Sequence, residues 1–371
     1  MSHNVILYSD YQSPYGGNLI PSLVALEELI IAEGGRCIWV FPEGAQERSW
    51  YSELVANGHD VVPRPSSNSL DTARWLKRLV KERNVNIIHV HLASLVSPAL
   101  LSWAIPSLHV VQQVHSDWSL GRGENVAMLL KGIPKKILTS KVARIAVSRD
   151  LGEKLNCPYV ENGIDLSRVH GLDAAARGEM RQHFGIGEGS TFITVFAWSP
   201  EVKGLDIACG AVKKLREQGL SFELGIVGAE DLDQTRQWVD DKTSASSSAP
   251  WIHFLPPIED VFEYHGIADI VLSASRSEGF SYVLCEAVLA CKPCVASDIS
   301  GTKWSHAFDT VDFFESENIT ACATALAAID KRRCAKGFKD ALQRSSKECA
   351  IRYNTRRWAE EVYSFYDGDA R

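Results

Sequence analysis

The chain has 371 residues, a net charge of −7, 45% hydrophobic residues and 23% charged residues. These values suit a globular protein of two domains and exclude a broad basic footprint for nucleic acid. No apolar run approaches the ~20 residues that span a bilayer. No signal-peptide pattern precedes the first strand, and nine scattered cysteines argue for a reducing cytoplasm rather than a disulfide framework.

In chain order, Val5–Tyr8 reads as a strand, and Gly16-Gly17 opens a loop into a helix over Leu19–Glu33. Strands follow at Cys37–Phe41 and Asp60–Val62, then a helix over Ser69–Asn84, a strand at Ile87–Val90 and a helix over Val96–Ile105. His109–Val114 and Arg144–Ser148 read as two more strands. The pattern restarts after Asn162-Gly163-Ile164-Asp165. Leu166–Glu188 reads as a linker with a short helix, and Thr243–Pro250 as a loop. Strands are expected at Phe192–Phe196, Phe222–Val227, Ile252–Leu255, Ile270–Leu272 and Cys294–Ser297. Helices are expected over Leu205–Gln218, Thr320–Ile329 and Arg356–Tyr366. Strands separated by helix-length segments imply βαβ units and parallel sheets covered on both faces. The expected fold is α/β, with two doubly wound Rossmann-like domains facing each other across a cleft. The expected division is residues 1–165 with 353–371, and residues 166–352.

The most informative stretch is Ser277-Glu278-Gly279-Phe280-Ser281-Tyr282-Val283-Leu284-Cys285-Glu286-Ala287. It follows a buried strand and runs into a helix over Val283–Ala290. Glu278 then stands in the loop and Glu286 in the first turns of the helix. The free N–H groups of a helix start lie between them, which is a ready anion site. Gly279 lets backbone approach a ligand, and Phe280 can pin the turn into the core. Two carboxylates flanking an anion site suit a nucleotide diphosphate sugar. The plainer reading is a surface loop with Glu286 favouring the helix dipole.

Glu278-Gly279-Phe280 … Glu286-Ala287, followed by Lys292-Pro293-Cys294-Val295-Ala296-Ser297 and Gly301, resembles the signature of retaining glycosyltransferases of the family 4 type, which have the GT-B architecture. Further segments resemble the family's in its own order. They are Tyr15-Gly16-Gly17, Val114-His115-Ser116-Asp117, Asn162-Gly163-Ile164-Asp165 and Ser199-Pro200-Glu201-Val202-Lys203-Gly204-Leu205-Asp206. The resemblance implies that Glu286 binds ribose hydroxyls and Glu278 donor-sugar hydroxyls. It implies that Phe280 and Ser281 offer backbone N–H groups near the sugar, and Val283 and Leu284 near the diphosphate. Lys203 would pair with the phosphates, Gly17 beside Gly16 would let the N-terminal loop close over them, and His115 would contact the donor sugar or leaving phosphate. The C-terminal helix would cross back to the N-terminal domain. The implied activity is hexosyl transfer from a nucleotide diphosphate sugar to a glycan, glycolipid or small metabolite, with no metal or cofactor.

One departure stands out. Where the family has an arginine shortly before the phosphate-binding lysine, this chain has Ala197 and Trp198. Lys203 then acts alone, or Arg276 assists from the next loop. Trp198 reads equally as a stacking platform and as a packing residue. His91 is a lower-ranked active-site histidine, and Ser116-Asp117-Trp118 a weak acceptor contact. Cys291-Lys292-Pro293-Cys294 reads as structural, without zinc. Two basic stripes, Arg74, Lys77, Arg78, Lys81, Arg83 and Lys131, Lys135, Lys136, Lys141, Arg144, are ordinarily solvated faces. Against an acidic whole they are also candidates for docking on anionic lipid at the inner face of the membrane. Two rival readings are a nucleotide-sugar 2-epimerase of the same fold and a non-catalytic nucleotide-sugar-binding protein.

Overall fold

A computed structural model describes residues 2–116, 135–228 and 231–367, with only the backbone at 135, 136 and 367. The chain divides into two compact units, Met1–Gly163 with Asn354–Arg371, and Ile164–Tyr353. Each unit is built on a six-stranded parallel sheet.

In the N-terminal unit the strands are β1 (Asn4–Ser9), β2 (Arg36–Pro42), β3 (Val61–Arg64), β4 (Ile87–His91), β5 (His109–Val114) and β6 (Val142–Ala146). Their spatial order is β3-β2-β1-β4-β5-β6. Alternation along β1 feeds both faces of the sheet. Val5 and Leu7 pack with Leu23, Leu26, Trp39 and Phe41, while Ile6 and Tyr8 pack with Ile38, Val40, Leu76 and Val80. Helix Thr355–Ser364 supplies Trp358 and Val362 to the first of these cores, so the C-terminal segment belongs to this unit. Gly163 makes this return possible: a Cβ there would stand 2.7 Å from the Asn354 carbonyl oxygen.

The second unit repeats the plan with β7 (Thr191–Phe196), β8 (Phe222–Val227), β9 (Ile252–Leu255), β10 (Ile270–Ser273), β11 (Cys294–Ser297) and β12 (Val311–Phe314). Their order is β12-β11-β10-β7-β8-β9. Ile193, Val195, Leu224, Ile226 and Leu272 pack on one face, and Phe192, Phe196, Val227 and Leu255 on the other. Numbered within its own unit, each sheet has the order 3-2-1-4-5-6. The first strand therefore lies beside the fourth, β1 beside β4 and β7 beside β10. That point, where the winding reverses, opens a crevice beyond the carboxyl ends of the strands.

Several expected boundaries moved. β3 runs to Arg64 through Pro63, which an edge strand tolerates because its free side needs no donor. β6, the opposite edge, starts at Val142 and stops at Ala146. The helix expected over Thr320–Ile329 spans Ile319–Arg333. Other elements have too weak an apolar signal to read in advance. Helix Phe338–Arg352 buries only Phe338, Ser345 and Cys349, helix Leu232–Lys242 only Thr235 and Val239, and β12 is four residues long. Among the described residues no helix is long and apolar enough to cross a membrane.

Candidate active site

In the C-terminal unit the loops leaving β7 and β10 meet at the switch point. The β7 loop ends at Gly204, whose φ is 63° and whose Cβ would stand 2.0 Å from the Ala274 carbonyl oxygen. Only glycine fits both the left-handed turn and that approach. The Arg276 N–H donates to the Val202 carbonyl at 2.8 Å and ties the two loops together. This clamp delivers Lys203, 8% exposed, to Glu278. The Lys203 Nζ donates to Glu278 Oε1 at 2.5 Å, and the Ser275 hydroxyl donates to the same oxygen at 2.8 Å. Lys203, Ser275, Glu278 and Val283 line one recess at the end of the sheet.

The stretch after Glu278 is held from behind. A Cβ on Gly301 would lie 2.5 Å from the Glu278 Cβ. Gly279 is buried and stays out of the left-handed region. Phe280 is buried, stacks on Trp304 at 5.0 Å with an interplanar angle of 18°, and meets Tyr353 at 5.6 Å. Helix Tyr282–Leu289 then starts with Ser281 as N-cap, with no side-chain cap. Val283 and Leu284 occupy its first turn, where N–H groups have no carbonyl one turn back within the helix. Glu286 is buried on this helix, its carboxylate 3.8 Å from the His265 ring.

Several expectations need correction. The Ser281 N–H is already donated to the Gly301 carbonyl at 3.1 Å, while its buried hydroxyl has no hydrogen-bond partner among the described residues. Ser281 therefore offers its Oγ rather than its amide. Arg276 does not face a phosphate site. Its guanidinium spans both Asp206 oxygens at 2.9 and 2.7 Å, Glu317 at 2.9 Å and the Glu201 carbonyl at 2.6 Å. Asp206 foremost raises its pKa further, so it is a structural clamp. Trp198 is not a packing residue: it is 65% exposed, with the Lys203 ammonium 5.3 Å from its ring centroid. Cys291 takes a left-handed φ of 56° and Cys294 is buried, its thiol pKa pushed up by burial. Among the described residues no group of three or more His, Cys, Asp or Glu is placed to hold a metal.

In the N-terminal unit Gly17 has φ 56°, and a Cβ there would meet the Tyr11 hydroxyl at 3.1 Å. Gly16 has ordinary contacts and no such requirement. His115 follows β5, and its Nε2 lies 3.4 Å from His91 Nδ1 at the end of neighbouring β4. The His91 and His89 rings lie 4.1 Å apart, tilted by 44°, and His89 Nδ1 pairs with the Tyr366 hydroxyl at 2.8 Å. Burial lowers all three imidazoles, His89 to about 3 and His115 to about 4, so the cluster is neutral near pH 7. Asp117, Trp118 and Lys131 lie outside the described residues, as do the side chains of Lys135 and Lys136.

Comparison with known proteins shows what the chain is similar to. Residues 189–329 match the family model described as glycosyl transferases group 1. The phosphatidyl-myo-inositol mannosyltransferase of Mycolicibacterium smegmatis is 26% identical over 267 residues. That match takes in 67% of this chain and spans only 64% of the relative's length. A Rickettsia africae glycosyltransferase superposes with a TM-score of 0.77 at 15% identity, covering 99% of this chain and 98% of that one. Anabaena HepE in complex with UDP-glucose gives 0.76 at 15% identity, covering 98% of this chain and 100% of that one. The fold is that of the GT-B glycosyltransferases, and the stretch from residue 189 to residue 329 is similar to group 1 glycosyl transferases. The matched segment lies within the C-terminal unit and carries Lys203, Glu278 and Glu286.

Two members of this candidate site escaped the sequence reading. Ser275 shares Glu278 with Lys203, and its place two residues past β10 was the available signal. Trp304 backs Phe280 from 24 positions downstream, a pairing no local pattern announces.

Proposed function

We propose that this protein transfers a hexosyl group from a nucleoside diphosphate sugar to a hydroxyl acceptor, with retention at the anomeric carbon. The observation that carries this reading is the Lys203–Glu278 pair at the switch point, beside an uncapped helix start. A sugar diphosphate satisfies all three parts. Its phosphates take the ammonium and the amides of Val283 and Leu284, and its sugar hydroxyls take the released carboxylate. Glu286 takes the ribose. The C-terminal unit then binds the donor and the N-terminal unit the acceptor, with Gly17 letting its loop close over the donor phosphates and His115 contacting the donor sugar or leaving phosphate.

Retention without an obvious nucleophile is best served by same-face attack. The bond from the anomeric carbon to the phosphate oxygen breaks and the bond to the acceptor oxygen forms on the same face. The acceptor proton passes to the departing phosphate oxygen. The negative charge that builds there is met by Lys203 and fixed amides, which serves in place of a divalent ion. The protein's share is orientation and exclusion of water. The test is a thermal-shift panel of UDP, GDP, ADP and their sugars, followed by turnover with and without acceptor. A specific binder raises Tm by mass action. HepE's complex with UDP-glucose puts UDP sugars first. Conversion of the donor sugar without acceptor would point to an epimerase instead, and activity that vanishes with chelator would overturn metal independence.

A lipid acceptor is the favoured class. Lys77, Arg78 and Lys81 are exposed on helix Ser69–Glu82 and make no ion pair among the described residues, whereas Arg74 and Arg83 are paired with Asp71 and Asp60. Three free cations on one face suit an anionic surface, and the mycobacterial relative is named for a lipid. Co-sedimentation with anionic but not neutral vesicles, lost on K77E/R78E/K81E, is the expected result. Equal recovery in both pellets would sink it.

A further inference from the structure

His265 lies near the end of the short helix Val261–Ile267 and is fully buried. Neither ring nitrogen has a hydrogen-bond partner among the described residues. An imidazole in that state forfeits hydrogen bonds on two polar atoms, a cost a phenylalanine or leucine would avoid. Packing alone does not account for it. The ring is wedged between Phe196, at 5.1 Å, and Phe262, at 5.8 Å, so its direction is fixed. In that direction its Nε2 faces Glu286 Oε2 at 3.8 Å, a little beyond hydrogen-bond reach. A small rotation of the Glu286 side chain closes the gap.

We propose that His265 is a positioning residue for Glu286. The inference rests on the reading of Glu286 as the ribose-binding carboxylate and deepens it. When two ribose hydroxyls donate to Glu286, the carboxylate swings onto the Nε2–H of His265. A carboxylate offers about four acceptor positions, so it holds the diol and the imidazole together. Of the two unmet nitrogens, Nε2 is the one relieved on binding.

The test is calorimetric titration of the nucleoside diphosphate identified by the panel, alongside its 2′,3′-dideoxy form, with H265F, H265Q and E286A. H265F should bind the ribonucleotide about tenfold more weakly than wild type, the scale of one charge-assisted hydrogen bond. It should bind the dideoxy form as wild type does. H265Q, whose amide nitrogen reaches the place of Nε2, should stay within about threefold of wild type. The donor KM should rise in H265F with kcat within about twofold, as expected when uniform binding is lost. A folded H265F that binds the ribonucleotide as tightly as wild type overturns the proposal. So does an equal loss for both nucleotide forms, which would mark a structural role. If H265F does not fold, a tenfold loss in H265Q overturns it instead. Failure of wild type to discriminate the dideoxy form, or an E286A variant that binds normally, would remove the ribose reading of Glu286 itself, and this inference with it.

Discussion

The Lys203 ammonium meets the Glu278 carboxylate at 2.5 Å across the point where β7 and β10 lie side by side, with side chains only 10% and 14% exposed. Among the described residues neither charge is neutralised by another charged side chain. Ligand phosphate and ligand hydroxyl must together replace what each loses when they separate.

That relationship separates stability from binding. K203A leaves Glu278 buried and uncompensated, a change that costs about 3 kcal/mol and lowers Tm by roughly 6–12 °C for a domain of this size. The K203A/E278A double variant should regain part of that Tm but no nucleoside diphosphate affinity. Differential scanning calorimetry with titration calorimetry checks both. A double variant as unstable as the single one would show that the pair is not coupled.

Gly301→Ala should act on activity through Glu278. Its Cβ would press on Glu278 at 2.5 Å, so the loop must shift. We expect turnover to fall at least about tenfold, because misplaced groups lose orientation, while melting drops by only a few degrees. Unchanged kinetics would mean that the loop gives way without moving the carboxylate.

Arg276→Ala is expected to spare donor affinity. Its guanidinium is taken by Asp206 and Glu317, on partly exposed side chains. The loss should be about 1 kcal/mol of stability with donor Kd within twofold. A tenfold weaker Kd would place Arg276 at the phosphates after all.

The histidine cluster gives the N-terminal unit an acid limit. Burial holds His115 near pH 4 and His89 near 3, below the ordinary value of 6.5. The unfolded chain therefore binds more protons below pH 6.5, and stability falls from there down to the folded values. The contribution is intact above pH 6.5. Each unit of depression is worth about 1.4 kcal/mol. Urea midpoints measured from pH 7 to 4.5 should fall, and H91L should flatten the slope. An identical slope in H91L would exonerate the cluster.

The sequence by itself determined the two sheets and the placing of Glu278 and Glu286 around one strand-to-helix turn. Strands such as Val5–Tyr8 and Phe192–Phe196 are apolar on both faces, and only a covered parallel sheet buries both. The spacing of Glu278 and Glu286 around a strand-to-helix turn is local, so it was legible before any coordinates. Polar helices such as Phe338–Arg352 were not, because their stability comes from a few contacts made far along the chain.

Only tertiary structure decided which groups are free to act. Arg276 and Lys203 look equivalent as letters, yet Asp206 and Glu317 tie up the first, while the second faces a carboxylate in a recess. The Ser281 amide is spent on Gly301, 20 positions away, and His265 finds Glu286 across two helices. Hydrogen bonds and burial are settled by neighbours distant in sequence, and local pattern carries no record of them.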